Sequence, residues 1–292
     1  MDGFIQSVAK VLNFSRSCMQ ITAHTPTVLG VSPFSVPLDS DGINALVKSS
    51  YWRVKVVESA GSTQVDLVKN VRDGVATHGS VLATEFQSAG RGRLNRTFVA
   101  PPRSALLFSF YVEPKNEDWG WLPLLAGQSV VNAVSKVFEF RAGEGVKLKW
   151  PNDILLNNRK VAGLLAERVQ TSTTAGVVMG IGINVHTRQE ELPVPSATSF
   201  ALQGYADCDR NLLLAEILKS FSEYLQRWEN SDSTLLLEYA NMSATIGRRV
   251  LIEMPGQEKF VSVASSVDPS GALVLEDGRH VSVGDVTHVS SL

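Results

Sequence analysis

The stretch VKLKWPNDILLNNRKVAGLL, Val146–Leu165, decides how this chain folds. Short strands are read around Val146–Trp150 and Ile154–Leu156, followed by the turn Asn157-Asn158-Arg159 and further strands over Lys160–Val169 and Gly176–Val185. Strands joined by so tight a turn run antiparallel. Upstream, WRVKVVE over Trp52–Glu58 alternates apolar and charged residues, the period of a half-buried strand. Asp66–Arg72 starts a short helix, and strand-like runs follow at Ser80–Phe86 and Ser104–Val112. Leu122–Phe138 sets Leu122, Leu125, Ala126, Ala133, Val134 and Val137 on one helical stripe that packs on a sheet.

Downstream, Leu212–Trp228 is a second amphipathic helix with Asp209 as its N-cap, burying Leu214, Ile217, Leu218, Phe221 and Leu225. Beyond Met242 the texture changes to short strands at Arg248–Met254, Lys259–Val267, Ala272–Glu276, His280–Val283 and Val286–Val289. That is about 50 residues of small β-barrel. The class expected is α+β, a mixed or antiparallel sheet packed by helices. Residues 1–36, rich in Ser, Thr and Pro, read as an extension or poorly ordered arm. The main domain spans 37–241 and the C-terminal β domain 242–292.

At 292 residues, with 44% hydrophobic and 19% charged side chains, the chain can bury a core of its own and is neither disordered nor fibrous. Its 27 basic and 29 acidic residues give a net charge of -2, which excludes a global basic field for gripping DNA. Two distant cysteines, Cys18 and Cys208, form no metal or redox motif, and a reduced cytosolic setting is expected. No apolar run reaches the roughly 18 to 20 residues of a membrane span, and no signal peptide is read.

Chemistry concentrates in two segments. Glu85-Phe86-Gln87-Ser88-Ala89-Gly90-Arg91-Gly92-Arg93-Leu94-Asn95-Arg96 follows a strand and alternates glycine with arginine. Glycine lets a backbone approach a ligand, and guanidiniums supply forked donors for phosphate or carboxylate oxygens. The loop reads as an anion site, with a solvated turn or an RNA-binding tract as alternatives on composition alone. In Lys147-Leu148-Lys149-Trp150-Pro151-Asn152-Asp153, Asn152 and Asp153 offer hard oxygens suited to Mg²⁺, and Lys160 reaches back across the hairpin to the same place. The alternative is a proline-directed turn with a core Trp and a surface Lys.

These segments, with Gly61-Ser62-Thr63-Gln64 upstream and Gly180-Ile181-Gly182-Ile183-Asn184-Val185 downstream, closely resemble the biotin protein ligases over about residues 37–292. The resemblance implies a catalytic domain related to class II aminoacyl-tRNA synthetases and a small SH3-like C-terminal β-barrel. It implies that biotin and MgATP give biotinyl-5′-AMP and pyrophosphate, and that biotin then passes to a lysine of the biotin carboxyl carrier domain of acyl-CoA carboxylases. By the same resemblance Ser62, Thr63, Gln64 and Gln87 hold biotin, with Arg91, Gly92 and Arg93 closing over it. Arg93, Arg96, Asn152 and Asn184 meet ATP. Lys160 bridges the biotin carboxylate and the α-phosphate, and Asp153 holds Mg²⁺ or deprotonates the carrier lysine. Lys160, Arg93 and Asp153 are the catalytic set.

The chain departs from the family pattern at Gln64, Asn95 and Phe98, where Asn, Gly and Trp are usual. Asn95 can still adopt a left-handed backbone at some cost, and a helix cap is the alternative reading of Ser62 and Thr63, compatible with their holding biotin. A lipoate or octanoate protein ligase of the same fold is one rival, and a bifunctional ligase and repressor another. The arm of residues 1–36 is too short and unpatterned for a helix-turn-helix, so no sequence-specific DNA binding is expected. A cytoplasmic monomer or homodimer without membrane contact completes the expectation.

Overall fold

A computed structural model describes residues 36–289 except Ser50 and Glu117. The arm expected over residues 1–36 therefore lies, Val36 aside, outside the described residues. Helix α1, Ser40–Val47, is capped by the Asp39 carboxylate, which accepts from the Asp41 N–H. Strand β1, Arg53–Val57, leads to α2, Thr63–Arg72, and β2, Ser80–Thr84; β3, Ala105–Val112, follows the arginine loop. Next come α3, Leu122–Val137, then β4, Val146–Lys149; β5, Asp153–Leu156; β6, Arg159–Gln170; and β7, Ala175–Asn184.

These strands form one seven-stranded sheet in the order β1-β2-β3-β7-β6-β5-β4. Only β1 and β2 pair in parallel; every other neighbour is antiparallel. The β5–β6 turn works as its asparagines predict: Asn157 and Asn158 sit at φ 50° and 64°, the two left-handed positions a two-residue hairpin requires.

Helix α4, Arg210–Glu229, starts where the Asp209 carboxylate accepts from the Asn211 and Leu212 N–H groups. With α1 and α3 it covers one face of the sheet, over a core that includes Phe108, Phe110, Met179, Ile181 and Phe221. Alternation along the strands sends Leu82, Tyr111 and Val178 to the other face, where Leu67, Val68 and Val71 of α2 pack on them. Helix α3 is buried on far more than the expected stripe, Gln128 and Ser129 included, because α4 covers the side turned away from the sheet.

After α5, Thr234–Met242, the strands β8, Arg249–Glu253; β9, Phe260–Val267; β10, Leu273–Leu275; β11, His280–Val281; and β12, Asp285–His288 form a separate antiparallel sheet. Its apolar side chains continue the main core. Two indoles staple the layers together: Trp121 Nε1 donates to the Asp268 carbonyl at 3.0 Å and Trp150 Nε1 to the Gly271 carbonyl at 3.1 Å.

Candidate active site

On the α2 face of the seven-stranded sheet lies a cavity of about 660 Å³, open along one side to β12. Its floor exists because side chains are missing there. A Cβ on Gly180 would stand 2.6 Å from Gln64 Oε1, and one on Gly182 would stand 2.9 Å from the Phe98 ring. The glycine alternation in β7 thus makes room for two side chains from other elements.

One end of the cavity is polar and uncharged. Backbone bonds from Ser88 to Ala60 and from Ala89 to Gly61 hold the start of α2 against the arginine loop, bringing Gln87 to Thr63. Gln87 Oε1 accepts from the Thr63 N–H at 2.8 Å, which leaves the Gln87 amide nitrogen without a partner among the described residues. Ser62 occupies the N-cap position of α2, yet its hydroxyl makes no cap bond and is buried with no partner among the described residues. The expected capping role of Ser62 is therefore corrected, and the residue borders the cavity instead. Gln64 is buried beside it, its Nε2 donating to the Val178 carbonyl at 3.1 Å.

The other end is charged. Register explains why Asp153 and Lys160 meet: Asp153 stands opposite Gly163, and a bulge leaves Val161 unpaired between Lys160 and Ala162. Lys160 Nζ passes over Gly163 to reach Asp153 Oδ1, 2.5 Å away. Arg93 Nη1 donates to Asn152 Oδ1 at 3.1 Å, and Asn152 Nδ2 donates to the Leu164 carbonyl at 2.8 Å. The side chains expected to converge from the loop and the hairpin share one cavity. Asn184 lines it too, while its Nδ2 donates to the Thr198 carbonyl at 3.1 Å.

Several features differ from expectation or were not legible. Arg96 pairs with Asp285 on β12 rather than standing free, and Arg93 Nη2 donates to the Gly284 carbonyl at 3.2 Å. Asp285 lies about 190 positions from the loop, and no local pattern announces it. The left-handed residue of the loop is Leu94, at φ 52°, not Asn95. Arg91 is exposed at the rim. Ser109 and Lys149 also line the cavity, and neither was assigned a role from sequence. Beneath the loop, Glu85 and Arg210 form a buried ion pair at 2.6 Å, with Arg210 also donating to the Ala105 and Val36 carbonyls.

Five basic side chains (Arg91, Arg93, Arg96, Lys149, Lys160) and two carboxylates (Asp153, Asp285) line the cavity. Such an excess of fixed cations attracts an anionic ligand. Among the described residues no group of three or more His, Cys, Asp or Glu is placed to hold a metal. Asp153 alone keeps a carboxylate oxygen without a partner, which fits a magnesium ion that takes most of its ligands from phosphate and water.

A neutral polar end facing a cationic end suits an anionic ligand with a polar, uncharged head. Residues 57–184 match the Biotin/lipoate A/B protein ligase family. The chain is 37% identical over 262 residues to a biotin–[acetyl-CoA-carboxylase] ligase of Mycobacterium tuberculosis, covering 87% of this chain and 96% of that one. It is 28% identical to the bifunctional ligase/repressor BirA of Salmonella typhimurium, over 93% of this chain and 87% of that one. A biotin protein ligase from Aquifex aeolicus, solved in complex with biotin and ATP, superposes with a TM-score of 0.68 at 28% identity over 82% of this chain and 99% of that one. The chain belongs to the biotin protein ligases.

Proposed function

We propose that the protein activates biotin with ATP as biotinyl-5′-AMP and transfers it to a lysine of the carrier domain of an acyl-CoA carboxylase. The observation that carries this reading is the single cavity with an uncharged donor and acceptor end and a strongly cationic end. A ureido ring needs donors for its carbonyl and acceptors for its N–H groups. The unpartnered Ser62 hydroxyl and the Gln87 amide nitrogen supply donors, and Thr63 Oγ1 lies beside them. The dithiolane of lipoate would leave these buried polar groups unpaired, which disfavours the rival on the same fold.

In the first step a biotin carboxylate oxygen attacks the α-phosphorus, the new P–O bond forms, and the bond to the β-phosphate breaks to release pyrophosphate. Two anions must approach, so fixed cations lower the barrier by opposing their repulsion and the charge gathering on the phosphoryl oxygens. Lys160 bridges carboxylate and phosphate, and Arg93, steadied by Asn152, faces the phosphates. Gly92 and the exposed Arg91 close over the ligand, while Arg96 and Asn184 complete the nucleotide contacts. Asp153 would hold a magnesium ion, which would supply charge neutralisation to the triphosphate. In the second step the neutral amine of the carrier lysine attacks the acyl carbon and AMP leaves; a lysine is mostly protonated near pH 7, so Asp153 accepts its proton.

We read the C-terminal sheet as an SH3-like barrel whose Gly284 and Asp285 steady the arginine loop. Residues 37–241 carry the chemistry. No helix among the described residues is long and apolar enough to cross a membrane, and use of ATP suits a cytoplasmic enzyme. Incubation with biotin, MgATP and a carrier domain, followed by mass measurement, tests the proposal. One biotinyl group is expected on the carrier lysine; an unmodified carrier with consumed or untouched biotin contradicts it.

A further inference from the structure

Four buried oxygens run in file along the polar wall: Gln87 Oε1, Thr63 Oγ1, Ser109 Oγ and Gln64 Oε1, separated in turn by 3.1, 2.9 and 3.3 Å. Backbone groups fix which way both end amides face. The Thr63 N–H can only donate, so Gln87 must turn its oxygen toward it; the Val178 carbonyl can only accept, so Gln64 must turn its nitrogen there. Both ends of the file are acceptors. Two hydroxyl protons are left for three gaps, so one gap always holds two oxygens and no proton between them.

Thr63 and Ser109 both border the cavity, and Thr63 is the less deeply buried of the two hydroxyls, 3% exposed against 0%, so it is the one offered to a ligand. We propose that Ser109 and Gln64 make this wall one proton short and thereby select a ligand head group that brings its own N–H. With that N–H donating to Thr63 Oγ1, Thr63 donates to Ser109, Ser109 to Gln64, and Gln64 to Val178, so every bond points inward and each strengthens the next. A ligand presenting an oxygen instead must draw the Thr63 proton outward and leave two gaps empty. The glycine at 180, on the same strand face, is what lets Gln64 close the file.

The inference rests on reading the cavity as a biotin site and adds the residues that read the ring N–H. Ser109 and Gln64 are positioning residues, acting through Thr63. The test uses the whole chain and biotin-dependent exchange between ATP and pyrophosphate, with biotin and the two ring analogues in which one or the other N–H is replaced by oxygen. For the parent, kcat/KM is expected to fall about a hundredfold for the analogue lacking the N–H on the Thr63 side. Ser109→Ala removes two gaps and one proton, and Gln64→Met removes one gap, so in either variant no gap has to stay empty and each should shrink that ratio to within about tenfold. The KM for MgATP, read on both variants, stays near the parent value if the cavity is folded. No exchange with biotin itself would defeat the functional reading. Exchange with biotin but equal use of both analogues, or an undiminished ratio in both variants, would overturn this proposal alone.

Discussion

The Lys160 ammonium stands 2.5 Å from Asp153 Oδ1 across the β5–β6 hairpin, with 39% of the lysine side chain still exposed. A pair that open to solvent adds on the order of 0–1 kcal/mol to stability. Its position beside the cavity is a matter of chemistry rather than of folding. Lys160→Ala should therefore lower biotin-dependent exchange by about a hundredfold or more while leaving the melting temperature almost unchanged. Parallel exchange and thermal-melt measurements check both halves; equal activity would remove Lys160 from the mechanism.

Asp153→Asn keeps the size of the side chain and removes its capacity to take a proton. Single-turnover transfer from preformed biotinyl-5′-AMP to the carrier should slow by about tenfold to a thousandfold. Raising the pH should recover much of the rate, because the carrier lysine then deprotonates without help. A rate that shows no such recovery would confine Asp153 to the adenylation step.

Arg210 and Glu85 are almost completely buried, and they tie residues 36–38, the arginine loop, β3 and α4 together. Arg210→Met leaves a carboxylate buried without its cation. A loss of about 3–5 kcal/mol is expected in urea unfolding, far more than for any substitution at Lys160 or Asp153.

Burial, with Lys149 and Arg248 nearby, pushes His288 down to about 4. An unfolded histidine titrates near 6.5, so on acidification the unfolded chain binds the proton first. The stability carried by neutral His288 is complete above about 6.5 and drains away as the pH falls from there toward 4. Burial lowers His78 and His186 in the same direction. His288→Gln should narrow the difference in urea midpoint between pH 7.5 and pH 5; an unchanged difference would place the acid sensitivity elsewhere.

Elements with a long period or a strong turn signal were legible in the sequence. Helix α4 and the Asn157-Asn158 hairpin stand where cap and turn chemistry put them. Helix α1 was not, because eight residues with only Ile43 and Val47 buried offer a single turn-spaced pair and no period. The same holds for α5, where Leu235 and Tyr239 alone are buried. The side chains from the arginine loop and the hairpin that line the cavity were legible because glycine, arginine and a proline-directed turn are local signals. Asp285, Ser109 and the Glu85–Arg210 pair were not, since each acts through a partner tens to hundreds of residues away. Even Ser62, which stands at the head of a helix as a cap should, makes no cap bond, an outcome only the three-dimensional neighbours reveal.

Isotope exchange between ATP and pyrophosphate, run with biotin and with lipoate as the only acid present, addresses the central assignment most directly. Rapid exchange with biotin, none with lipoate, and loss of exchange in Lys160→Ala are expected. Exchange driven by lipoate alone, or proceeding unchanged without Lys160, would contradict it.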